Sequence, residues 1–187
     1  MTQRERLYRQ QILREAEGYV ELLQLAEDRG VLSDDLRDRL AQRALKRLRQ
    51  TRFVGRLLSR ALLLEGQALR LMGRYREAIG PLTRSAELDS ENIHVWLALG
   101  WCYKRLGRLD LAIESLEQAM PVGNDEAIVH YNLACYWSLA GNRDLALRYL
   151  SQALSLDPRY RDLVDDEPDF NPIRHDPEFQ SIVALGV

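Results

Sequence analysis

The strongest constraint on this 187-residue chain is a spacing. The segments Gly73-Arg74-Tyr75-Arg76-Glu77-Ala78, Gly107-Arg108-Leu109-Asp110-Leu111-Ala112 and Gly141-Asn142-Arg143-Asp144-Leu145-Ala146 start 34 residues apart, twice in succession. Around each turn the apolar residues recur at helical intervals. Trp96, Leu99, Gly100 and Tyr103 fall at i, i+3, i+4 and i+7, and Ala112, Leu116 and Ala119 resume the stripe beyond the turn. Each period is therefore a helical hairpin. A single hairpin cannot bury its own apolar side, so a fixed period implies neighbours stacked on neighbours.

Composition agrees with an all-α chain, since 6 Pro and 11 Gly leave long stretches uninterrupted. The net charge of −2 gives no overall field that would draw the chain to nucleic acid or to a membrane surface. Charge does shift along the chain. Residues 1–58 hold 13 Lys/Arg against 9 Asp/Glu, residues 59–126 hold 8 against 10, and residues 127–187 hold 5 against 9. No apolar run reaches the ~18 residues of a membrane-spanning helix. The opening Met1-Thr2-Gln3-Arg4-Glu5-Arg6 reads as the start of a charged helix rather than a signal peptide. Cys102 and Cys135 match no metal or redox spacing, which sets the expectation of a reducing, cytoplasmic setting and no cofactor.

Upstream of the repeats, Tyr8, Ile12, Ala16, Tyr19, Leu23 and Ala26 predict a helix over 4–29, with Gly30 as its C′ residue. Ser33 caps a second helix whose first turn carries Asp34 and Asp35, favourable against the helix dipole. Leu36, Leu40, Ala44 and Leu48 form its expected buried stripe. The basic cluster Arg43, Lys46, Arg47, Arg49, Arg52 and Arg56 reads as a solvated face, because no aromatic interleaving or groove-reading motif accompanies it. Beyond Pro158, a short helix over 159–164, a break at Glu167-Pro168-Asp169-Phe170-Asn171-Pro172 and a last helix near Pro177–Val183 make a tail that turns Phe170, Ile173, Phe179 and Ile182 inward.

With these residues in place, the chain resembles a tetratricopeptide repeat protein. The repeats run 59–92, 93–126 and 127–160, residues 1–58 cap one end and residues 161–187 cap the other. The family's small residues are matched by Gly66, Gly100 and Ala134, by Ala78, Ala112 and Ala146, and by Ser85, Ala119 and Ala153. Small side chains there allow helices to approach closely. Glu65 and His130 depart from the pattern at positions where apolar and aromatic residues are usual. The resemblance implies a right-handed α-solenoid of helical hairpins and a concave groove lined by the first helix of each repeat. The expected groove residues are Arg60, Leu63, Gln67, Arg70 and Leu71; then His94, Leu97, Trp101, Lys104 and Arg105; then Ile128, Tyr131, Cys135, Ser138 and Leu139. Asn132 matches the family Asn that hydrogen-bonds a bound peptide backbone.

Function follows from that groove. Trp101 and Tyr131 are the aromatic types favoured as interface anchors, and Arg60, Arg70, Lys104 and Arg105 add positive charge. The expectation is a non-enzymatic module that binds a peptide segment carrying acidic groups or a free carboxylate. A terminal segment of the chain filling the groove, with the protein acting as a homo-oligomeric scaffold, is the alternative. So is a secretion-type chaperone for a specific effector. The family's two-carboxylate clamp for chaperone tails is not expected, because Leu63, Gln67, Ala98, Ile128 and Asn132 stand where its residues would. His94, His130 and His175 are dispersed and lack a nucleophile at a useful spacing. No metal site is expected, and Asp165-Asp166-Glu167 with Asp169 lacks the ligand alternation of a calcium loop.

Overall fold

A computed structural model of the chain describes residues 2–28 and 33–184. The expected C′ residue Gly30 lies outside the described residues. All regular structure there is helical: α1 Gln3–Asp28, α2 Asp34–Leu48, α3 Arg56–Leu71, α4 Tyr75–Leu88, α5 Ile93–Arg105, α6 Leu109–Gly123, α7 Ala127–Leu139, α8 Arg143–Leu156, α9 Arg161–Val164 and α10 Pro177–Ala184. Single 3-10 turns occupy Pro158–Tyr160 and Pro168–Phe170. The chain divides into two compact units, Met1–Cys102 and Tyr103–Val187, with the division falling inside α5.

In the first unit α1 and α2 pair antiparallel, and both pack against α3. Ser33 caps α2 by accepting from the Leu36 amide, and Asp34 and Asp35 lie in the first turn. Ile12, Ala16, Leu23 and Ala26 are buried as the periodicity requires, together with Leu13 and Val20. Tyr8 is not: it is 51% exposed. The helices differ in length, 26 residues against 15, and Arg47 near the end of α2 pairs with Glu15 at 2.9 Å. The first two turns of α1 therefore extend past their partner. At the other end of α2, Leu36 is exposed, and the buried stripe is Ala41, Ala44, Leu45 and Leu48. The basic cluster is solvated, with Arg43, Lys46, Arg49, Arg52 and Arg56 exposed.

Each hairpin turn ends its first helix on a left-handed glycine. Gly73, Gly107 and Gly141 have φ of 71°, 74° and 76°. In each, the residue after the glycine donates its amide to the carbonyl five residues back, as Arg108 does to Tyr103 at 2.9 Å. That is the Schellman arrangement, in which a Cβ at the glycine is strained by about 1–2 kcal/mol. The repeats' small residues have a different origin. Ala78, Ala112, Ala146, Ser85, Ala119 and Ala153 are all fully buried, as are Leu82, Leu116 and Leu150.

Gly66 illustrates the close approach. A Cβ added there would lie 2.4 Å from Cγ of Leu82, which is itself fully buried on α4. Gly to Ala inside a helix ordinarily gains about 1 kcal/mol. Overpacking by one methyl at a dense contact costs about 1–3 kcal/mol. Gly66→Ala is therefore expected to lower stability in urea denaturation, and adding Leu82→Ala should reverse the sign of the Gly66 effect. A Gly66→Ala variant more stable than the parent would refute this contact.

In the second unit α6 packs on α7, and α7 pairs with α8. Asn142 caps α8 by accepting from the Leu145 amide at 3.2 Å. The C-terminal segment then folds back: the turn at Pro168–Phe170 lies on α7 and α10 lies on α8. Arg143 of α8 holds it by hydrogen bonds to Asp176 at 2.5 and 2.9 Å and to Glu178 at 2.8 Å. The guanidinium holds the Asp176 carboxyl down to about 2, so the pair stays ionised until strongly acid pH. Phe170, Ile173 and Phe179 turn inward as the pattern predicts, and Ile182 is half-buried.

Candidate peptide-binding surface

Four of the expected groove residues meet in the first unit. Arg60, Leu63 and Gln67 project from one face of α3, spaced at i, i+3 and i+7. With Ser59 and with His94 at the start of α5 they line a depression of about 440 Å³. Its opposite wall is α1, which contributes Glu17, Val20, Glu21 and Gln24, and its end is closed by Asp89 and Asn92 from the α4–α5 connection. Arg60 donates to both carboxylate oxygens of Glu17. The depression thus carries Glu17, Glu21 and Asp89 beside Arg56 and Arg60. The positive character expected of this face is offset by α1.

Further along the same unit, Arg70 places its guanidinium 5.8 Å from the centroid of the Trp101 ring, within cation–π range. Trp101 and Leu97 are half-buried, and His94 is exposed. Trp96 has a different task. Its Nε1 donates to the Ser90 carbonyl at 2.8 Å, pinning the α4–α5 connection to α5. Leu71 is buried at 3% exposure and so offers no groove surface.

The third repeat's residues have a different environment. Tyr131 is 5% exposed and Cys135 2% exposed. The Tyr131 ring stacks tilted on Tyr160 at 4.9 Å and edge-on to Phe170 at 5.7 Å. Ser138 Oγ donates to the Asp169 carbonyl at 2.7 Å, and Lys104 pairs with the Asp169 carboxylate. The C-terminal segment therefore lies where a groove ligand was expected. Ile128 and Asn132 are half-buried, and Arg105 is exposed. Burial raises both thiols, Cys102 to about 11 and Cys135 well above its ordinary value, so neither is an activated nucleophile. His130 is buried, with Nε2 2.7 Å from the Asn124 carbonyl, and His175 is exposed on the tail.

Two contributions escape the sequence reading. Glu17, Glu21 and Gln24 sit outside the repeat register, so nothing in the period assigns them to the surface of α3. Asp169 lies in a Pro-flanked break with no periodicity to orient it.

Comparison with known proteins decides the family. One tetratricopeptide repeat model matches residues 69–134 and a second matches residues 127–160. Residues 69–160 are tetratricopeptide repeats. Among solved structures it is similar to TTC0263, a thermophilic tetratricopeptide repeat protein of Thermus thermophilus. The TM-score is 0.66 at 20% identity, covering 89% of this chain and 87% of that one. It is also similar to MamA, with a TM-score of 0.59 at 20% identity over 79% of this chain and 81% of that one. A third likeness is to YrrB, described as having an unusual peptide-binding site, with a TM-score of 0.57 at 18% identity, covering 81% of this chain and 73% of that one. No curated protein matches the sequence.

The fold class is all-α, that of the tetratricopeptide solenoids. Within this tetratricopeptide chain, Asn132 uses its side-chain amide to donate to the Ile128 carbonyl of its own helix at 2.7 Å. That amide is committed locally in the structure. Among the described residues no helix is long and apolar enough to cross a membrane.

Proposed function

We propose that this tetratricopeptide repeat protein is an interaction module that receives a partner's peptide segment in the depression between α1 and α3. The observation that carries this reading is the 440 Å³ depression itself, which joins Arg60, Leu63, Gln67 and His94 in one concavity. Concave sites with an apolar floor and a few convergent polar groups are where ligands are held. Here Val20, Leu63 and Leu64 supply the floor, and Gln24, Gln67 and Asn92 supply amides able both to donate and to accept. Such amides suit the backbone of an extended segment. The mixture of Glu17, Glu21 and Asp89 with Arg56 and Arg60 supports a partner of mixed charge over a uniformly acidic one. The likeness to YrrB, a protein described as having a peptide-binding site, supports the same class of ligand.

At the third repeat a second reading is favoured. Tyr131 and Cys135, buried against the C-terminal segment, support a self-filled groove there, with the tail in the ligand's place.

The test is selection of binding peptides from a random library on the full chain, repeated with the triple variant Glu21→Ala, Gln67→Ala, His94→Ala. Glu21 and His94 are exposed and Gln67 half-buried, so the triple variant is expected to fold. The reading requires at least a tenfold loss of affinity for the selected peptides. Unchanged affinity in a folded triple variant would place the binding surface elsewhere.

A further inference from the structure

The most concentrated set of ligand-type side chains outside the depression lies under the C-terminal segment. Cys135 Sγ, a carboxylate oxygen of Glu167 and one of Asp169 all lie within 4.8 Å of one another. Cys135 and Asp169 are buried and Glu167 is half-buried. Proximity alone would describe an acidic patch. A separate feature singles this one out: the hydroxyl of Tyr131, a residue only 5% exposed, is buried with no hydrogen-bond partner. The tyrosine lies one helical turn before Cys135 on α7, and its ring is edge-on to Phe170, the neighbour of Asp169, at 5.7 Å. The hydroxyl proton is held more tightly first by burial and then by Cys135, Glu167 and Asp169, in that order. A buried Tyr hydroxyl normally finds a partner, so an orphan one helical turn from Cys135 marks an incomplete polar site.

We propose that Cys135, Glu167 and Asp169 form a binding site for a divalent metal ion of the zinc class, with the Tyr131 hydroxyl facing the ion. Three considerations favour a metal over a water molecule or a second organic cation. The donor set combines one soft sulfur with two hard oxygens, which suits borderline zinc better than calcium or magnesium. Zinc bonds of about 2.0–2.3 Å put neighbouring ligand atoms about 3.3–3.8 Å apart, so the cluster needs only a modest contraction.

The third consideration is charge. Lys104 pairs with Asp169 and also lies 5.8 Å from the Tyr136 ring centroid. With the thiol protonated, Glu167, Asp169 and Lys104 together carry one net negative charge. Binding proceeds as M²⁺ plus Cys135–SH giving M–S–Cys135 and a released proton, with no electron transferred. The carboxylates, the thiolate, the ion and Lys104 then sum to zero. Lys104 moves from first partner of Asp169 to an outer cation. The ion would join α7 to the Pro168–Phe170 turn, fastening the segment that covers Tyr131.

The full chain, freed of metal with a chelator, is titrated with cobalt(II) and then with zinc. The expected result is a single-site titration with a thiolate-to-cobalt charge-transfer band that zinc abolishes. The band is expected to be lost in Cys135→Ser and retained in Cys102→Ser. Glu167→Gln, at a half-exposed position where folding is not threatened, should weaken cobalt binding at least tenfold. No band in the parent chain overturns the proposal. So does a band that survives in Cys135→Ser, or cobalt affinity unchanged in Glu167→Gln.

Discussion

Phe170→Ala is expected to destabilise the second unit by about 3–5 kcal/mol, the range for removing a fully buried aromatic ring. Phe170 has no exposed surface, and its ring lies 5.7 Å from Tyr131 and 5.5 Å from Phe179. It is the apolar link between the C-terminal segment and α7. The polar links beside it, Ser138 to the Asp169 carbonyl and Lys104 to the Asp169 carboxylate, depend on the same turn being seated. Loss of the ring should therefore release the segment before the helices of the unit unfold. Urea denaturation reads the stability change, and amide hydrogen exchange reads where protection is lost. Leu163→Ala, at 53% exposure, serves as the control and should change stability by no more than about 0.5 kcal/mol. Equal effects of the two substitutions would contradict the packing described for Phe170.

Lys104→Met is the second large effect. The side chains of Lys104 and Asp169 retain only 17% and 9% of their exposure. Removing one member of a buried pair leaves the other charge uncompensated, at a cost of about 3–5 kcal/mol. Replacing both with apolar residues removes the desolvation penalty as well as the attraction, so Lys104→Met with Asp169→Leu should recover most of the loss. A double-mutant cycle by urea denaturation gives the coupling directly. Single and double variants of equal stability, both near the parent, would mean that the pair is solvated and contributes little.

The fold was legible where its cause is local. Gly73, Gly107 and Gly141 are required by the left-handed turn that ends each first helix, so their positions along the chain mark the hairpins. Ala78, Ala112 and Ala146 mark helix–helix approach, a matter of packing, and Gly66 meets Leu82 as the register implies. The stripe of α1 was legible in its period but not in its extent. Tyr8 fits the spacing yet is exposed, because α2 is too short to reach it.

The candidate surface was legible by halves. The helix α3 face of Arg60, Leu63 and Gln67 follows from repeat register. That α1 forms the facing wall does not, since Glu17 and Arg60 are 43 residues apart and share no period. Tyr131 and Cys135 share a face of α7, and what lies on that face is fixed by Asp169 and Phe170. Those two residues sit in a stretch interrupted by Pro168 and Pro172, which carries composition without periodicity. Sequence places a side chain on a helix face more readily than it says which distant segment covers that face.

The central claim is that the open binding surface lies between α1 and α3, while the corresponding face of α7 is occupied by the chain's own tail. Amide chemical-shift mapping of the isotopically labelled full chain, titrated with a peptide selected on it, tests this most directly. The account predicts saturable shifts clustered at Val20, Gln24, Leu63, Gln67, Asn92 and His94, with Tyr131, Cys135 and Phe170 unmoved. Shifts centred on Tyr131, Cys135 and Phe170, with residues 17–24 silent, would mean that the peptide displaces the tail, and would contradict it.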